Sequence, residues 1–174
     1  ARSRATQGRT RRRASVRTVA LVGYTNAGKS TLFNRLTGAR VDAVDQLFAS
    51  LDTTLRRIHV PGAGTVVLSD TVGFIRELPH DLVAAFRATL AEATEADLLL
   101  HVIDASAPDR DDQVAAVEAV LAEIGADAIP QIRVLNKCDR TDLSTGATRD
   151  PCGTICAVCV SALTGAGCNE LRDA

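Results

Sequence analysis

Short apolar runs bounded by polar turns recur along the chain, and they predict β-strands. Four runs are apolar enough to be buried strands, at residues 19–22, 98–104, 132–135 and 155–160. Two further strands, at residues 55–60 and 65–69, are separated only by the tight turn Pro61-Gly62-Ala63-Gly64. This arrangement predicts an antiparallel hairpin.

Apolar residues at helical spacing predict helices between these strands. Residues 30–36 form the first helix, which ends near Gly38. The apolar positions of the next two helices are Leu82, Phe86, Leu90 and Ala93, and Val114, Val117, Leu121 and Ile124. Pro108-Asp109 precedes the later of these helices and Gly125 ends it. Residues 169–174 supply only the beginning of a last helix.

The length of 174 residues suits one domain with its own core. No apolar run approaches a membrane span and no signal peptide is visible, so we expect a cytoplasmic protein. The chain begins at Ala1 and contains no Met, which indicates a fragment of a longer protein, with a trimmed start as the alternative explanation.

The net charge of −1 conceals an asymmetry. Residues 1–17 carry seven Arg and no acidic residue, whereas the rest of the chain carries 13 basic and 21 acidic residues. Residues 1–15 have no hydrophobic period and are predicted to be a basic arm or linker, followed by the folded domain at 16–174. Such an arm is either solvated or in contact with nucleic-acid phosphates, and it has no aromatic residue to stack on bases.

Cysteines near the end of the chain raise the question of a metal site. Cys152, Cys156 and Cys159 have C-x₃-C-x₂-C spacing, which iron–sulfur proteins also use, and Cys168 follows. However, alternation along a buried strand at residues 155–160 would send Cys156 and Cys159 to opposite faces. We therefore expect free thiols in a reduced compartment.

The segment Gly23-Tyr24-Thr25-Asn26-Ala27-Gly28-Lys29-Ser30 fits G-x-x-x-x-G-K-[ST], the phosphate-binding loop. It lies between a predicted strand and a predicted helix, as the motif requires. Glycines let backbone N–H groups point at phosphate oxygens, and the helix N-terminus adds partial positive charge. Lys29 would neutralise the β- and γ-phosphates, and the Ser30 hydroxyl would bind Mg²⁺ directly.

A second phosphate motif, Asp70-Thr71-Val72-Gly73, follows the strand at 65–69. In a D-x-x-G segment the Asp70 carboxylate would hold Mg²⁺ through water, and the Gly73 N–H would reach the γ-phosphate. Many nucleotide-hydrolysing proteins with this segment place Gln at the next position to orient the attacking water. Phe74 occupies it here and forms no hydrogen bond with its side chain, so slow hydrolysis is expected.

The base-recognition motif Asn136-Lys137-Cys138-Asp139 follows the strand at 132–135 and points to guanine. The Asp139 carboxylate would accept bonds from both N1–H and the exocyclic amine, a pair that adenine does not offer. A backbone N–H of Ser161-Ala162-Leu163 after the last strand would meet the guanine O6. An ATP-dependent small-molecule kinase is the less suitable alternative, because it leaves this motif unexplained.

With these motifs in order, residues 16–171 resemble the G domain of HflX-type GTPases, a ribosome-associated, translation-factor-class family. The most specific segments are Leu-Phe-Ala-Ser-Leu-Asp at 47–52 and Asp-Thr-Val-Gly-Phe-Ile-Arg at 70–76. The resemblance implies an α/β fold, that of a P-loop NTPase G domain. Its sheet would be doubly wound and mostly parallel, with one antiparallel edge strand and a truncated last helix.

The resemblance also implies site residues that the pattern alone does not identify. Switch I would comprise Phe48, Ala49, Ser50, Leu51 and Asp52. Ser50 replaces the usual Thr and retains the hydroxyl that would bind Mg²⁺ directly, with Thr53 and Thr54 as fallback candidates. The catalytic groups would be Lys29, Ser50 and Gly73. Asn26 would be either a ligand for K⁺ beside the phosphates or simply a good turn residue.

The implied function is a GTP-dependent switch acting on the large, 50S-type ribosomal subunit and its RNA, with GTP, GDP, Mg²⁺ and a candidate K⁺ as ligands. A monomer is expected. The alternative is a module that senses GTP against GDP and whose turnover is incidental. The family's N-terminal domain is absent from this sequence, so we expect the fragment to bind ribosomes weakly and not to split them.

Overall fold

The computed structural model describes residues 16–38, 54–71, 73–74 and 90–174. The strands within these ranges are β1 (Arg17–Gly23), β2 (Thr54–Val60), β3 (Gly64–Asp70), β4 (Leu98–Asp104), β5 (Gln131–Asn136), β6 (Gly146–Arg149) and β7 (Ile155–Cys159). The helices are α1 (Lys29–Thr37), α2 (Arg110–Glu123) and α3 (Cys168–Arg172), and Cys138–Arg140 forms a 3₁₀ turn. Residues 90–95 are also helical.

All seven strands form one sheet in the order β2-β3-β1-β4-β5-β7-β6. The five inner strands are parallel, whereas β2 and β6 are antiparallel to their neighbours and form the two edges. The inner strands therefore end at the same edge of the sheet. In open parallel sheets this edge is where ligands bind.

Alternation along β1 divides the core between the two faces of the sheet. Leu21 packs on the face covered by α1 and α3, while Ala20 and Val22 pack on the face covered by residues 90–95 and α2. Helices on both faces explain why the central strands are continuous apolar runs. Beside α3, an apolar groove of about 430 Å³ lies between Ile58 and Leu171.

Glycines set the helix boundaries that the sequence predicts. Gly28 precedes α1 and Gly38 follows it, both with left-handed backbone (φ 95° and 68°), and the Gly38 N–H donates to the Asn34 carbonyl at 2.9 Å. α2 begins after Asp109, and left-handed Gly125 lies two residues beyond its end. Leu90 and Ala93 are buried as expected, whereas Leu82 and Phe86 lie outside the described residues.

Two expectations about the end of the sheet need correction. The second antiparallel edge strand, β6, is absent from the predicted elements, because its sequence Gly-Ala-Thr-Arg has no apolar alternation. The strand at residues 155–160 is also less buried than predicted. Within β7 only Val158 is buried, since an open groove of about 670 Å³ lies beside Cys156 and Ala157.

A candidate membrane-spanning helix is absent from the described part of the chain. The arm at residues 1–15 lies outside the described residues, as do residues 39–53.

Candidate nucleotide-binding site

The backbone of the phosphate loop is constrained by close contacts at both of its outer glycines. A Cβ atom on Gly23 would lie 2.3 Å from the Val102 carbonyl oxygen, and one on Gly28 would lie 2.3 Å from the Asn136 Nδ2 atom. Gly28 and Asn26 both have left-handed backbone, with φ of 95° and 61°. The loop therefore requires glycine where it passes β4 and where it meets the residue that ends β5.

Lys29 is buried, and its ammonium group lies within the loop. Nζ donates to the carbonyl oxygens of Gly23 and Tyr24 at 3.2 and 3.1 Å. Burial lowers the pKa of Lys29 to about 8, and the nearby Asp70 carboxylate opposes this shift. The side chain thus carries a positive charge at neutral pH that is only partly compensated by its surroundings.

Ser30 and Asp70 come together from different elements. The Ser30 hydroxyl donates to Asp70 Oδ2 at 2.8 Å, and Asp70 is fully buried. The next residue, Thr71, donates its hydroxyl to the Leu21 carbonyl at 2.6 Å and so anchors the end of β3 to β1. The two oxygen groups predicted to hold Mg²⁺ are therefore neighbours.

The D-x-x-G segment continues as an extra parallel bridge beside the phosphate loop. The Phe74 N–H donates to the Gly23 carbonyl at 3.0 Å, and the Thr25 N–H donates to the Phe74 carbonyl at 2.6 Å. A Cβ atom on Gly73 would lie 2.9 Å from the Thr25 Cα and 3.2 Å from Lys29 Nζ. Val72 lies outside the described residues.

Phe74 has a structural role that the sequence does not show. Its side chain is fully buried in the core on the α2 face, together with Val22, Leu90 and Leu99. The ring is therefore part of the core.

Asn136 connects three loops through its amide group. Nδ2 donates to the Ala27 carbonyl of the phosphate loop at 3.0 Å, and Oδ1 accepts from the Ala162 N–H at 2.9 Å. The side chain is 2% exposed, so these bonds form out of water. The base-recognition loop is thereby fixed against both the phosphate loop and the loop after β7.

Lys137 forms the second connection to the phosphate loop. Its Nζ donates to the Asn26 carbonyl at 2.8 Å and to Asp104 Oδ2 at 2.7 Å. The backbone of Lys137 is left-handed, with φ of 65°. This conformation, unusual for a side chain with a Cβ atom, turns the chain sharply at the end of β5.

Asp139 is exposed and accepts a hydrogen bond from the buried Ser161 hydroxyl at 2.6 Å. Ser161 Oγ also accepts from the Thr164 N–H at 3.2 Å. Ala162 is buried, whereas the Leu163 side chain is 67% exposed. Burial, followed by the nearby Cys159, raises the pKa of the Cys138 thiol to about 11, so this thiol stays neutral.

Two functional positions were missed by sequence reasoning. Arg35 donates to the Ala162 carbonyl at 3.0 Å and also bonds to the Leu163 carbonyl, which fixes the loop after β7. Asp104 pairs with Lys137. The only sequence signal for Asp104 is an acidic residue at the end of a buried strand. Nothing in the local sequence marks Arg35.

The remaining candidate residues are the predicted switch I segment, the cysteines and His101. Phe48, Ala49, Ser50, Leu51 and Asp52, predicted as switch I, lie outside the described residues, as do Thr53 and the basic arm. All five cysteines are free. His101 is buried in β4, and burial lowers its pKa to about 4 with help from Arg133 and Lys29, so the ring is neutral. Across the described ranges, no cluster of three or more His, Cys, Asp or Glu is placed to hold a metal.

Comparison with known proteins gives consistent matches. A family model described as "50S ribosome-binding GTPase" matches residues 18–137. The GTPase HflX of Escherichia coli (strain K12) is 58% identical over 170 residues, covering 97% of this chain and 40% of that protein. The GTPase HflX of Caldanaerobacter subterraneus subsp. tengcongensis is 52% identical over 145 residues, with coverages of 83% and 34%. The chain thus spans between a third and two fifths of these curated relatives' length.

Solved structures match the fold as well. A GTP-binding protein from the hyperthermophilic archaeon Sulfolobus solfataricus, solved in complex with GDP, superposes with a TM-score of 0.69 at 28% identity. The match covers 97% of this chain and 54% of that one. The sheet order and the loops at its carboxyl edge define a G domain of the P-loop GTPase class. The chain belongs to the family of 50S ribosome-binding GTPases and is an HflX-type member of it.

Proposed function

We propose that this domain binds GTP with Mg²⁺, hydrolyses it slowly, and uses the two nucleotide states as a switch on the large ribosomal subunit. The observation that carries the proposal is the Asn136 amide, which joins the phosphate loop, the base-recognition motif and the loop after β7. An asparagine that served only to stabilise the core would not need to bond to two other loops at the carboxyl edge of the sheet.

The phosphate side of the proposed site is formed by the loop at 23–30 and by Asp70, Thr71, Val72 and Gly73. Lys29 would leave the carbonyl oxygens it now contacts and donate to the β- and γ-phosphates, and Gly73 would offer its N–H to the γ-phosphate. Lys29 would also stabilise the charge that develops during hydrolysis.

The proposed Mg²⁺ position is supported by the Ser30 hydroxyl and the Asp70 carboxylate, which are already in contact. Both are hard oxygen donors of the type that Mg²⁺ prefers. Ser30 would bind the ion directly, Asp70 would hold one of its waters, and Ser50 of switch I would supply a further hydroxyl. The bound ion would neutralise charge on the β- and γ-phosphates.

The base side of the proposed site is formed by Asn136-Lys137-Cys138-Asp139 and Ser161-Ala162-Leu163. Asp139 is exposed and accepts one hydrogen bond, from the Ser161 hydroxyl, so its carboxylate can accept more. Its carboxylate would accept the two N–H groups of guanine, and a backbone N–H of the second segment would meet O6.

Calorimetric titration of the protein with GTP and with ATP, both with Mg²⁺, tests this assignment. We expect GTP to bind and ATP to bind at least about a hundredfold more weakly, because a site built to bond the N–H groups of guanine leaves its polar groups unpaired with adenine. Equal affinities for the two nucleotides would contradict the guanine assignment.

Slow turnover is proposed because the residue after Gly73 has its side chain in the core. With no side chain to orient water, we expect a single-turnover rate on the order of 10⁻⁴–10⁻² s⁻¹, as for unassisted small GTPases. A single-turnover rate near 1 s⁻¹ without a partner would exclude slow intrinsic hydrolysis. The same burial favours the second candidate function, a module that senses GTP against GDP and whose turnover is incidental.

Potassium is a further candidate activator. The Asn26 side chain is exposed on the left-handed turn of the phosphate loop, where an amide oxygen could help to hold K⁺ beside the phosphates. Such an ion would offset charge between the β- and γ-phosphates. We expect hydrolysis to be faster in K⁺ buffer than in Na⁺ buffer, and we expect Asn26→Ala to abolish this difference. Equal rates in the two buffers would support the role of Asn26 as a simple turn residue.

The large ribosomal subunit and its RNA are proposed as the partner, and the cytoplasm as the location, because the family model and the curated relatives carry ribosome-binding and HflX descriptions. The test is the GTPase rate of a full-length protein, and of this chain, with added large subunits. Stimulation of the full-length protein is expected, and its absence would exclude the ribosomal role. Strong stimulation would also reject the sensor alternative.

A further inference from the structure

Asp104 ends β4 at the carboxyl edge of the sheet, and both of its carboxylate oxygens are engaged. Oδ1 accepts from the Ser106 N–H at 2.9 Å and from the Ser106 hydroxyl at 2.6 Å. Oδ2 accepts from Lys137 Nζ at 2.7 Å. The serine therefore fixes the carboxylate, and the carboxylate fixes the ammonium group.

The same ammonium group reaches the phosphate loop. Lys137 Nζ donates to the Asn26 carbonyl at 2.8 Å, while the neighbouring Asn136 amide donates to the next carbonyl, that of Ala27, at 3.0 Å. Two consecutive loop carbonyls are thus held by two consecutive residues of the base-recognition motif. Asn26 is also one of the two non-glycine residues with left-handed backbone in the described ranges.

The Lys137–Asp104 pair is half-buried, with side-chain exposures of 20% and 16%. Burial raises the pKa of Asp104, but the hydrogen bonds from Lys137 and Ser106 outweigh it and hold the pKa below its ordinary value. The Asp104 carboxylate is therefore ionised at neutral pH. In such a setting an ammonium group that lost its carboxylate would no longer be directed at the Asn26 carbonyl.

We propose that Asp104 is a positioning residue that acts through Lys137 to fix the phosphate loop against the base-recognition loop, and so sets how long a guanine nucleotide stays bound. This inference rests on the proposed nucleotide site. Within the proposed site, Asp104 contacts Lys137. Its effect is carried by Nζ of Lys137 to the backbone of Asn26.

A double-mutant cycle on nucleotide release tests the proposal. Dissociation rates of a fluorescent GDP are measured for the unmutated protein, Asp104→Asn, Lys137→Gln and the double variant. Each single substitution weakens or removes a hydrogen bond to a charged group, so we expect each single variant to release GDP about 10- to 100-fold faster. The double variant should be no faster than Lys137→Gln alone, because Asp104 acts only through that lysine.

The outcomes separate this inference from the proposed function. Absence of GDP binding to the unmutated protein would overturn the proposed nucleotide site. GDP binding with additive effects of the two substitutions would overturn the positioning role alone, since a general structural role of Asp104 predicts additivity. A rate for Asp104→Asn equal to that of the unmutated protein would overturn it too.

Two further variants control for folding and charge. Asp127→Asn makes the same acid-to-amide change on an exposed loop beyond α2, and its release rate should equal that of the unmutated protein. Ser106→Ala retains the carboxylate but removes the 2.6 Å hydroxyl bond that orients it. If Asp104→Asn does not fold, a severalfold faster release from Ser106→Ala supports the proposal, and an unchanged rate overturns it.

Discussion

The phosphate half and the base half of the site are organised in opposite ways. In the phosphate half, the groups assigned to the ligand are paired with one another, since Lys29 contacts loop carbonyls and Ser30 contacts Asp70. In the base half, Asn136 and Lys137 bond to other loops and not to each other. The Asp139 carboxylate, which is assigned to the base, accepts from Ser161 at Oδ1, and a carboxylate can accept further hydrogen bonds from a base without losing that one.

The two halves therefore differ in how many of their hydrogen bonds would change when a nucleotide binds. In the proposed site the base half would be a preorganised frame, whose bonds between loops can persist when nucleotide binds. The phosphate half would exchange its internal bonds for bonds to phosphate, so its groups would be satisfied in both states. Preorganisation limits the entropy lost on binding and favours specificity, whereas bond exchange makes the phosphate half sensitive to which nucleotide is present.

The largest expected effect comes from changing the carboxylate of the base half that is assigned to guanine. Asp139→Asn should weaken GTP binding by on the order of 10²–10⁴-fold, since an amide in place of the carboxylate presents a donor to a donor of guanine. The ring of a xanthosine nucleotide is complementary to the amide, so its affinity should rise. Titration with both nucleotides measures the exchange, and parallel losses for the two would contradict the role of Asp139.

Gly28→Ala should disturb both halves at once. The new Cβ atom would meet Asn136 Nδ2 at 2.3 Å on a left-handed backbone, so we expect a loss of about 2–4 kcal/mol in unfolding free energy together with weaker nucleotide binding. Gly38→Ala is the matched control, with left-handed backbone but nothing within 4 Å, and should lose about 1 kcal/mol. Similar losses for both would mean that the Asn136 contact is unimportant.

The pH dependence of binding should report on the phosphate half. Because burial lowers the pKa of ligand-free Lys29 to about 8, GDP affinity should fall above that pH, approaching tenfold per pH unit. The unfolded chain holds this proton up to about pH 10.5, so the ligand-free protein should gain stability from pH 8 upward. Lys29→Arg, which stays charged, should bind with a flat pH profile in this window. A flat profile for the unmutated protein would exclude the lowered pKa.

The smallest expected effect is that of Ser161→Ala. The substitution removes the 2.6 Å bond to Asp139 and leaves the Thr164 N–H without its acceptor. Loss of one bond near the mouth of the site should weaken GDP binding by about two- to tenfold. Calorimetry resolves this range, and a loss as large as that of Asp139→Asn would mean that the base half depends on this hydroxyl after all.

Much of the fold was predictable because its signals are local. The strand at residues 98–104 is a run of apolar side chains, and Gly38 and Gly125 lie where helices end. The motif residues that the structure describes lie at strand ends, as the sequence indicates. The antiparallel strand β6 was not predictable in this way, because four residues at an edge bury too little to leave an apolar pattern.

The contacts of the site that the sequence does not show join residues distant in the chain. Asn136 bonds to a carbonyl 109 residues earlier, and Arg35 bonds to one 127 residues later. Neither partner contributes a side chain to its bond, so no pair of residue types marks it. Asp104 could be recognised only after the fold placed Lys137 beside it. The burial of Phe74 likewise depends on the core that forms on the α2 face.

The central place of β1 in the sheet has a consequence for how the chain matures during synthesis. β1 pairs with β4, and its Thr18 contacts Asp97 across 79 residues. The phosphate loop is then held by Asn136, which is itself held by Ala162. Such non-local pairings form late, because the intervening chain must be made and closed first. The phosphate loop is made before the other loops of the site, but it is therefore fixed in place only after Asn136 and Ala162 have been made and have folded against it.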